Sequence, residues 1–184
     1  ILSVFMPKDI PDFDVYNEVW QRLAVKEGLG GIYFIGDHFS PSYQFNHLFS
    51  AFAHSPAMFA NRNLIEKVIE RLVRHHSWTA LGPVRYSYPK LMKGIYESFK
   101  DHPKFIPTIF SGWDTSPRHG NRGVVLKDFN VETFKAHVEE VFSFPNKTDF
   151  VLIKSWNEWA EGNLLEPDNI FGDQILKVIK DINT

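Results

Sequence analysis

Read by hydrophobic period alone, the chain alternates between runs that suit strands and runs that suit helices. Residues 1–6 form an apolar run and predict a strand. Residues 14–27 predict a helix, with Val15, Val19 and Leu23 on one stripe and Gly28 placed as its C-cap. The all-apolar run 31–35 predicts a strand covered on both faces. A short helix is expected over 43–53. A clearer one is expected over 64–74, where Leu64, Ile65, Val68, Ile69 and Leu72 keep the 3.6 period and Glu70–Arg74 forms an i,i+4 pair. Residues 79–87 predict a strand, 90–99 a helix, and 105–110 a strand interrupted by Pro107. A helix over 131–142 is capped by Asn130. The strand 150–154 and the helix 174–182 close the pattern.

This strand–helix order predicts a parallel α/β fold. Two architectures satisfy it, an open doubly wound sheet and a (β/α)8 barrel. A complete barrel takes about 250 residues, and only about five strands are expected here. As a barrel, the 184 residues would be a single domain, 1–184, forming its C-terminal portion. The chain also begins inside an expected strand without methionine, which suggests a piece of a longer protein. A half barrel would leave bare strand edges, so self-association into a homo-oligomer is compatible with it.

Three of the expected strands run into polar clusters. One leads to Asp37 and His38. A second leads to Trp113, Asp114 and Arg118. The third leads to Trp156, Asn157, Glu158, Trp159 and Glu161, with Glu166 shortly after. In parallel α/β folds the C-terminal strand ends carry the active site, so these side chains are expected on one face. Three of the five tryptophans fall in these segments. Indole beside carboxylate suits a sugar site: the ring stacks on C–H faces, and the acids bind hydroxyls and move protons. Paired carboxylates are also the core of glycoside chemistry.

Composition narrows the field. The net charge is −2, which gives no sign of a nucleic-acid partner or an anionic membrane. Aromatic residues reach 15%, including 17 phenylalanines, more than a flat-ligand surface alone would use. There is no cysteine, which excludes disulfides, thiolate metal sites and a cysteine nucleophile. A reducing cytosol suits such a chain, and a cytoplasmic location is expected. No apolar run approaches the roughly 18 residues of a membrane span. Residues 1–7 show neither a basic leader nor a cleavage site.

The stretches FVLIKSWNEWAEGNLLEPD, residues 150–168, and HPKFIPTIFSGWDTSPRHG, residues 102–120, resemble the WbsX family of lipopolysaccharide-biosynthesis glycosyltransferases. So does VFMPKDIPDFDVYNEVWQRLAVKEGLGGIYFIG near the start, so the resemblance covers nearly the whole chain. That family is related to the endo-α-mannosidases and endo-α-mannanases of glycoside hydrolase family 99. The resemblance implies a (β/α)8 barrel, of which this chain would hold the last five or so βα units. It implies an enzyme acting on the glycosidic bonds of a polysaccharide or lipopolysaccharide glycan, by transfer or by endo-hydrolysis. By the same resemblance Glu158 deprotonates a sugar 2-hydroxyl to give a 1,2-anhydro intermediate, and Glu161 is the general acid/base. Glu166 and the Trp113–Asp114…Arg118 stretch would line the sugar site. The carbohydrate is the implied partner, with no metal and no cofactor. The chain departs from the hydrolases at Ala160, where they often carry His, and at Trp156, where they often carry Phe.

Plainer readings compete at several positions. An arbitrary Glu-x-x-Glu is usually a solvated loop, but two flanking tryptophans after an apolar strand argue for catalysis. Asp114 and Arg118 suit a loop ion pair as well as a ligand contact. Asp37 and His38 suit a turn and a helix entry. Asp12-Phe-Asp14 matches a nucleotide-sugar metal signature but sits where a helix N-cap belongs. His47 and His54 lack a third ligand, and His75-His76 suits a helix C-terminus. Gly28-Leu-Gly30-Gly31 precedes a strand and reads as turn chemistry. The Asn146-Lys-Thr148 sequon has meaning only in a secreted chain. A non-catalytic sugar-binding remnant is the reading from another class.

Overall fold

The computed structural model describes residues 1–37, 43–53, 63–75, 78–145 and 148–182. His38 and His54 therefore lie outside the described residues, as do His76 and residues 146–147 of the sequon. In chain order the elements are β1 (Leu2–Val4), α1 (Phe13–Lys26), β2 (Phe34–Asp37), β3 (Ala51–Ala53), α2 (Leu64–His75), β4 (Val84–Ser87), α3 (Tyr88–Phe99), β5 (Phe105–Ile106) and β6 (Thr108–Ile109). They continue with α4 (Ser116–His119), β7 (Val124–Lys127), α5 (Val131–Ser143), β8 (Leu152–Ile153), β9 (Asn157–Glu158), β10 (Asn163–Leu164) and α6 (Gln174–Ile182). The fold is mixed α/β with parallel strand pairing. The expected barrel is not seen: among the described residues no sheet closes, and the strands are two to four residues long.

The chain divides into two compact units. The first holds the described residues of 1–53, with 102–107 and 148–152. Its core is a parallel sheet in the order β1-β2-β3-β5, with Ser3 opposite Ile35, Ile35 opposite Ala51, and Phe52 opposite Phe105. Alternation along the strands sends neighbours to opposite faces. Phe34 and Phe52 join Val4, Phe13 and Phe49 in one cluster, while Ile35, Ala51, Ala53 and Ile106 form the other. Both faces are covered, which is why β2 reads as an unbroken apolar run. Phe13 stacks on Phe49 at 4.4 Å and meets Phe34 edge-on at 5.8 Å. Gly36 makes room for these rings: a Cβ there would come within 3.0 Å of the Phe52 ring and 3.1 Å of the Phe49 ring. Much of the aromatic excess is thus spent on packing.

Two expectations for this unit fail for physical reasons. The helix over 43–53 is instead a 3-10 turn, Asn46–Leu48, followed by β3. The small Ala51 and Ala53 alternate with Phe52 at a period of two, and the sheet uses that period. Helix α1 forms as expected. It ends in a Schellman motif: Gly28, with φ 80°, donates to Val25 O, and Leu29 N donates to Ala24 O. Its stripe Val15–Val19–Leu23 nevertheless faces solvent. The inward face carries Phe13 and Ala24, with Tyr16 and Gln21 half-buried. The Gln21 amide clamps the Ile32 backbone at both ends, at 2.9 and 2.8 Å, on this inward face. Asp12 sits at the N-cap of α1, although its side chain makes no capping bond.

The second unit holds the described residues of 63–101, 108–145 and 153–182. Strands β4 and β7 pair in parallel, with Val84 opposite Val124 and Tyr86 opposite Leu126, all four buried. Helices α3 and α5 supply Tyr88, Leu91, Met92, Ile95, Phe134, Val138 and Val141. The expected cap of α5 is present as a reciprocal capping box between Asn130 and Thr133. Glu70, expected in an i,i+4 pair, is buried and accepts the Tyr86 hydroxyl at 2.9 Å. Exposed i,i+4 pairs such as Lys93–Glu97, at 3.9 Å, contribute only about 0.3–0.5 kcal/mol. A buried Leu or Phe contributes about 1.5–3 kcal/mol, so the core decides the stability of the unit.

Pro107 divides the expected strand 105–110 into β5 and β6. Past the break, side chains satisfy much of the backbone. Tyr96 Oη donates to Thr108 O at 3.1 Å and Tyr88 Oη to Phe110 O at 2.6 Å. Phe110 N donates to His137 Nε2 at 3.0 Å, while Lys154 N donates to Ile109 O at 2.9 Å. A ring nitrogen that accepts a backbone N–H must carry a lone pair, so His137 is neutral with its proton on Nδ1. Burial also pushes its pKa down, to about 3. Unfolding frees a histidine of ordinary pKa, near 6.5. Between those values the unfolded chain binds a proton that the folded chain refuses, so stability is full above about pH 6.5 and falls as the pH drops. The expected loss at pH 5 is about 2 kcal/mol from this group. Urea titrations at pH 7 and pH 5 on the wild type and His137→Gln check it: the acid-induced loss shrinks in the variant.

Candidate functional site

The Asn-Glu-Trp-x-Glu-Gly motif folds as a tight hairpin, where the sequence suggested a plain loop. Strands β9 and β10 pair antiparallel, with Leu164 opposite Asn157 and Asn163 opposite Glu158. A 3-10 turn, Trp159–Glu161, joins them, and Gly162 closes it at φ 59°. Left-handed backbone favours glycine, and space demands it too. A Cβ at 162 would lie 3.1 Å from Asp114 N and 3.2 Å from Asp114 Cβ. The run leading into the hairpin is less buried than its apolar sequence implied, since Ile153 is exposed.

The hairpin lies on the segment that follows β6. Asp114 N donates to Glu161 O at 2.7 Å. Asp114 bridges Val125, and the flanking bonds Leu126 N to Trp113 O and Thr115 N to Val124 O fasten the segment to β7. Asp114 Oδ1 accepts Ser116 N at 2.7 Å at the start of α4, which carries the exposed Arg118 and His119. Asn163 is 1% exposed. Its Nδ2 donates to Ser111 O at 3.1 Å, Ser111 Oγ at 2.9 Å and Gly112 O at 3.0 Å. Its Oδ1 accepts the Ser155 hydroxyl.

The structure brings most of the candidate residues into one unit. Glu158 is exposed, and its Oε1 accepts Ala160 N at 3.2 Å. Glu161 is half-buried. Burial first, then the charge of Glu158, raises its pKa above the ordinary glutamate value, with Arg118, Lys154 and His119 pulling the other way. Trp156 and Trp159 flank Glu158 with exposed indoles, 61% and 65% accessible. Trp113 is buried and stacks on Phe110 at 5.6 Å, so it presents no open ring face comparable to theirs; its Nε1 has no hydrogen-bond partner among the described residues. Asn157 Oδ1 braces the turn ahead of the half-buried Glu166, accepting Leu165 N at 3.3 Å and Glu166 N at 3.1 Å. Asp37 ends β2 in the first unit, apart from this set in the chain's division. Among the described residues no group of His, Cys, Asp or Glu is placed to hold a metal ion. No described helix is long and apolar enough to cross a membrane.

Sequence reasoning missed Asn163 and His119. Both lie within the motif-bearing stretches, but a polar residue between Gly162 and Leu164 read as filler. Its role shows only when Ser111 and Gly112, some fifty residues earlier, come into reach.

A hairpin that carries two glutamates and two exposed indoles fits proteins that handle sugars, and comparison with known proteins gives the same class. Residues 1–179 match the family model described as Glycosyltransferase WbsX. The chain belongs to the WbsX family. It is 31% identical over 71 residues to the protein WxcX of Xanthomonas campestris pv. campestris, in strain B100 and in strain ATCC 33913; WxcX is itself described as uncharacterized. That match takes in 36% of this chain and 10% of WxcX. A solved structure, a glycoside hydrolase-like protein, superposes with a TM-score of 0.60 at 20% identity, over 91% of this chain and 48% of the other. At that identity the likeness is one of fold. The chain spans a tenth of the curated relatives it matches and about half of the structural one.

The balance of charges around Glu161 gives a substrate-free check. Carbon-13 NMR of glutamate-labelled protein, with Glu161 assigned by its loss in Glu161→Gln, follows its titration directly. Glu158→Gln removes a like charge and lowers the Glu161 midpoint, whereas Arg118→Met removes an opposing cation and raises it. Unmoved midpoints in both variants would mean that these groups do not act on Glu161.

Proposed function

We infer that this chain carries the acid pair of an enzyme acting on glycosidic bonds in a polysaccharide or lipopolysaccharide glycan. The observation that carries the reading is the environment of Glu161. Burial and the neighbouring Glu158 raise its pKa, so it keeps its proton to higher pH than an ordinary glutamate does. A general acid needs that property. Exposed Glu158 is the group that takes a proton from the sugar 2-hydroxyl, whose oxygen then closes on C1 as the leaving oxygen receives the Glu161 proton. Water or an acceptor hydroxyl, deprotonated by Glu161, attacks C1 of the resulting 1,2-anhydro sugar, and as the C1–O2 bond breaks Glu158 returns its proton to O2. Trp156 and Trp159 offer ring faces on either side for sugar stacking. Arg118, Asp114, Asn157 and Glu166 line or brace the same turn.

Transfer and hydrolysis share these steps and differ in what opens the intermediate. The WbsX family name supports transfer to a growing glycan. The hairpin acids support the glycosidase-like reading, and acceptor access decides between them. The raised Glu161 pKa sets the alkaline limb: turnover falls as the pH passes that value and Glu161 loses its proton.

The test uses the full-length protein with α-mannosyl and rhamnosyl oligosaccharides, with and without nucleotide sugars, and reads products by mass spectrometry. Shortened glycans without a nucleotide sugar establish hydrolysis, and lengthened glycans only in its presence establish transfer. Glu161→Gln is expected to reduce turnover by about 10²–10⁴-fold while glycan binding persists. Turnover unchanged in that variant removes the acid/base assignment. Binding without turnover in the wild type selects a sugar-binding remnant instead.

A further inference from the structure

We propose that Asn163 is the positioning residue for Glu161: its buried side-chain amide, bonded to Ser111, Gly112 and Ser155, fixes the hairpin that carries the acid. The proposal rests on the reading of Glu161 as the working acid, but its geometry stands apart from any substrate. All three partners of Nδ2 present acceptor oxygens, and the partner of Oδ1 is a hydroxyl donor. The amide therefore fits in one orientation only, since a flip would set its oxygen against two carbonyls. Aspartate would fail at the same place, and leucine would leave buried carbonyls without donors.

The lever from Asn163 to Glu161 is short. Gly162 stands between them, seated against Asp114. On its far side the Glu161 carbonyl takes the Asp114 N–H at 2.7 Å. The tripeptide 161–163 is thus fastened at both ends to the segment 111–114. Asn163 also faces Glu158 across the hairpin. It joins one acid through the chain and the other through strand pairing, although its amide hydrogen-bonds neither carboxylate. If the amide is lost, the turn lifts from Ser111–Gly112. Glu161 then gains water and draws away from Glu158, and both changes lower its pKa, against the smaller opposing effect of leaving Arg118, Lys154 and His119.

The test is carbon-13 NMR of glutamate-labelled chain across a pH series, without glycan, on the wild type, Asn163→Ala and Ser111→Ala. Because no glycan is present, the result is independent of whether the protein turns one over; the Glu161→Gln assay decides that separately. The expected result is a fall of the Glu161 midpoint towards the ordinary glutamate value in Asn163→Ala. A smaller fall is expected in Ser111→Ala, which deletes one of the amide's acceptors. A folded Asn163→Ala that has lost thermal stability but keeps the wild-type Glu161 titration overturns the proposal, since Asn163 would then be structural only. Should Asn163→Ala not fold, Ser111→Ala decides: an unchanged Glu161 midpoint there overturns it equally.

Discussion

The second unit depends on one constraint: a buried backbone group must find a hydrogen-bond partner, whether or not a strand is there to supply it. Residues 108–112 leave Pro107 as a very short strand. Beyond it, Tyr96, Tyr88 and His137 bond Thr108 and Phe110, and Asn163 bonds Ser111 and Gly112. Each unpaired group would cost on the order of 1–3 kcal/mol, which is comparable to burying a large apolar side chain. Side chains from α3, α5 and the hairpin therefore converge on one strip of main chain. Asp114 inherits its position from that strip, and the turn bearing Glu161 rests on Asp114.

The same strip joins core to chemistry. At its buried end, desolvation keeps His137 neutral and makes it an acceptor. At its outer end, partial desolvation raises the pKa of Glu161, while Glu158 remains open to water. One physical effect, graded along a few residues, yields a structural group at one end and a candidate acid at the other. The cations Arg118, Lys154 and His119 oppose it at Glu161.

Much of this was legible in the sequence. The helices 14–27, 64–74, 131–142 and 174–182 announced themselves by period and caps, and α6 has the expected bounds. Pro107 announced a break, and the structure puts one there. Period failed at α1. The Val15–Val19–Leu23 stripe predicted its inward face, but Gln21 holds the Ile32 backbone on a different one. Residues 43–53 misled because short aromatic-rich runs fit both periods until their neighbours are known. The strand–helix alternation left a doubly wound sheet and a barrel open and the family resemblance implied the barrel, whereas the described strands form one parallel sheet and three separate pairs. The motif residues were found by their types, yet the hairpin was not. Its register depends on Gly162 lying against Asp114, a contact no local window contains.

Glu158 caps a 3-10 turn of three residues that ends on Glu161, and the middle one of the three, Ala160, is exposed and contributes its backbone N–H rather than its side chain. The letter at 160 is consequently free to drift, while the number of letters is not. A single inserted or deleted residue would turn β10 over by one pleat, swinging the Asn163 amide to the opposite face of the hairpin. Divergence in this segment should therefore be written in substitutions and almost never in gaps, and length is the feature by which distant versions of it can be aligned.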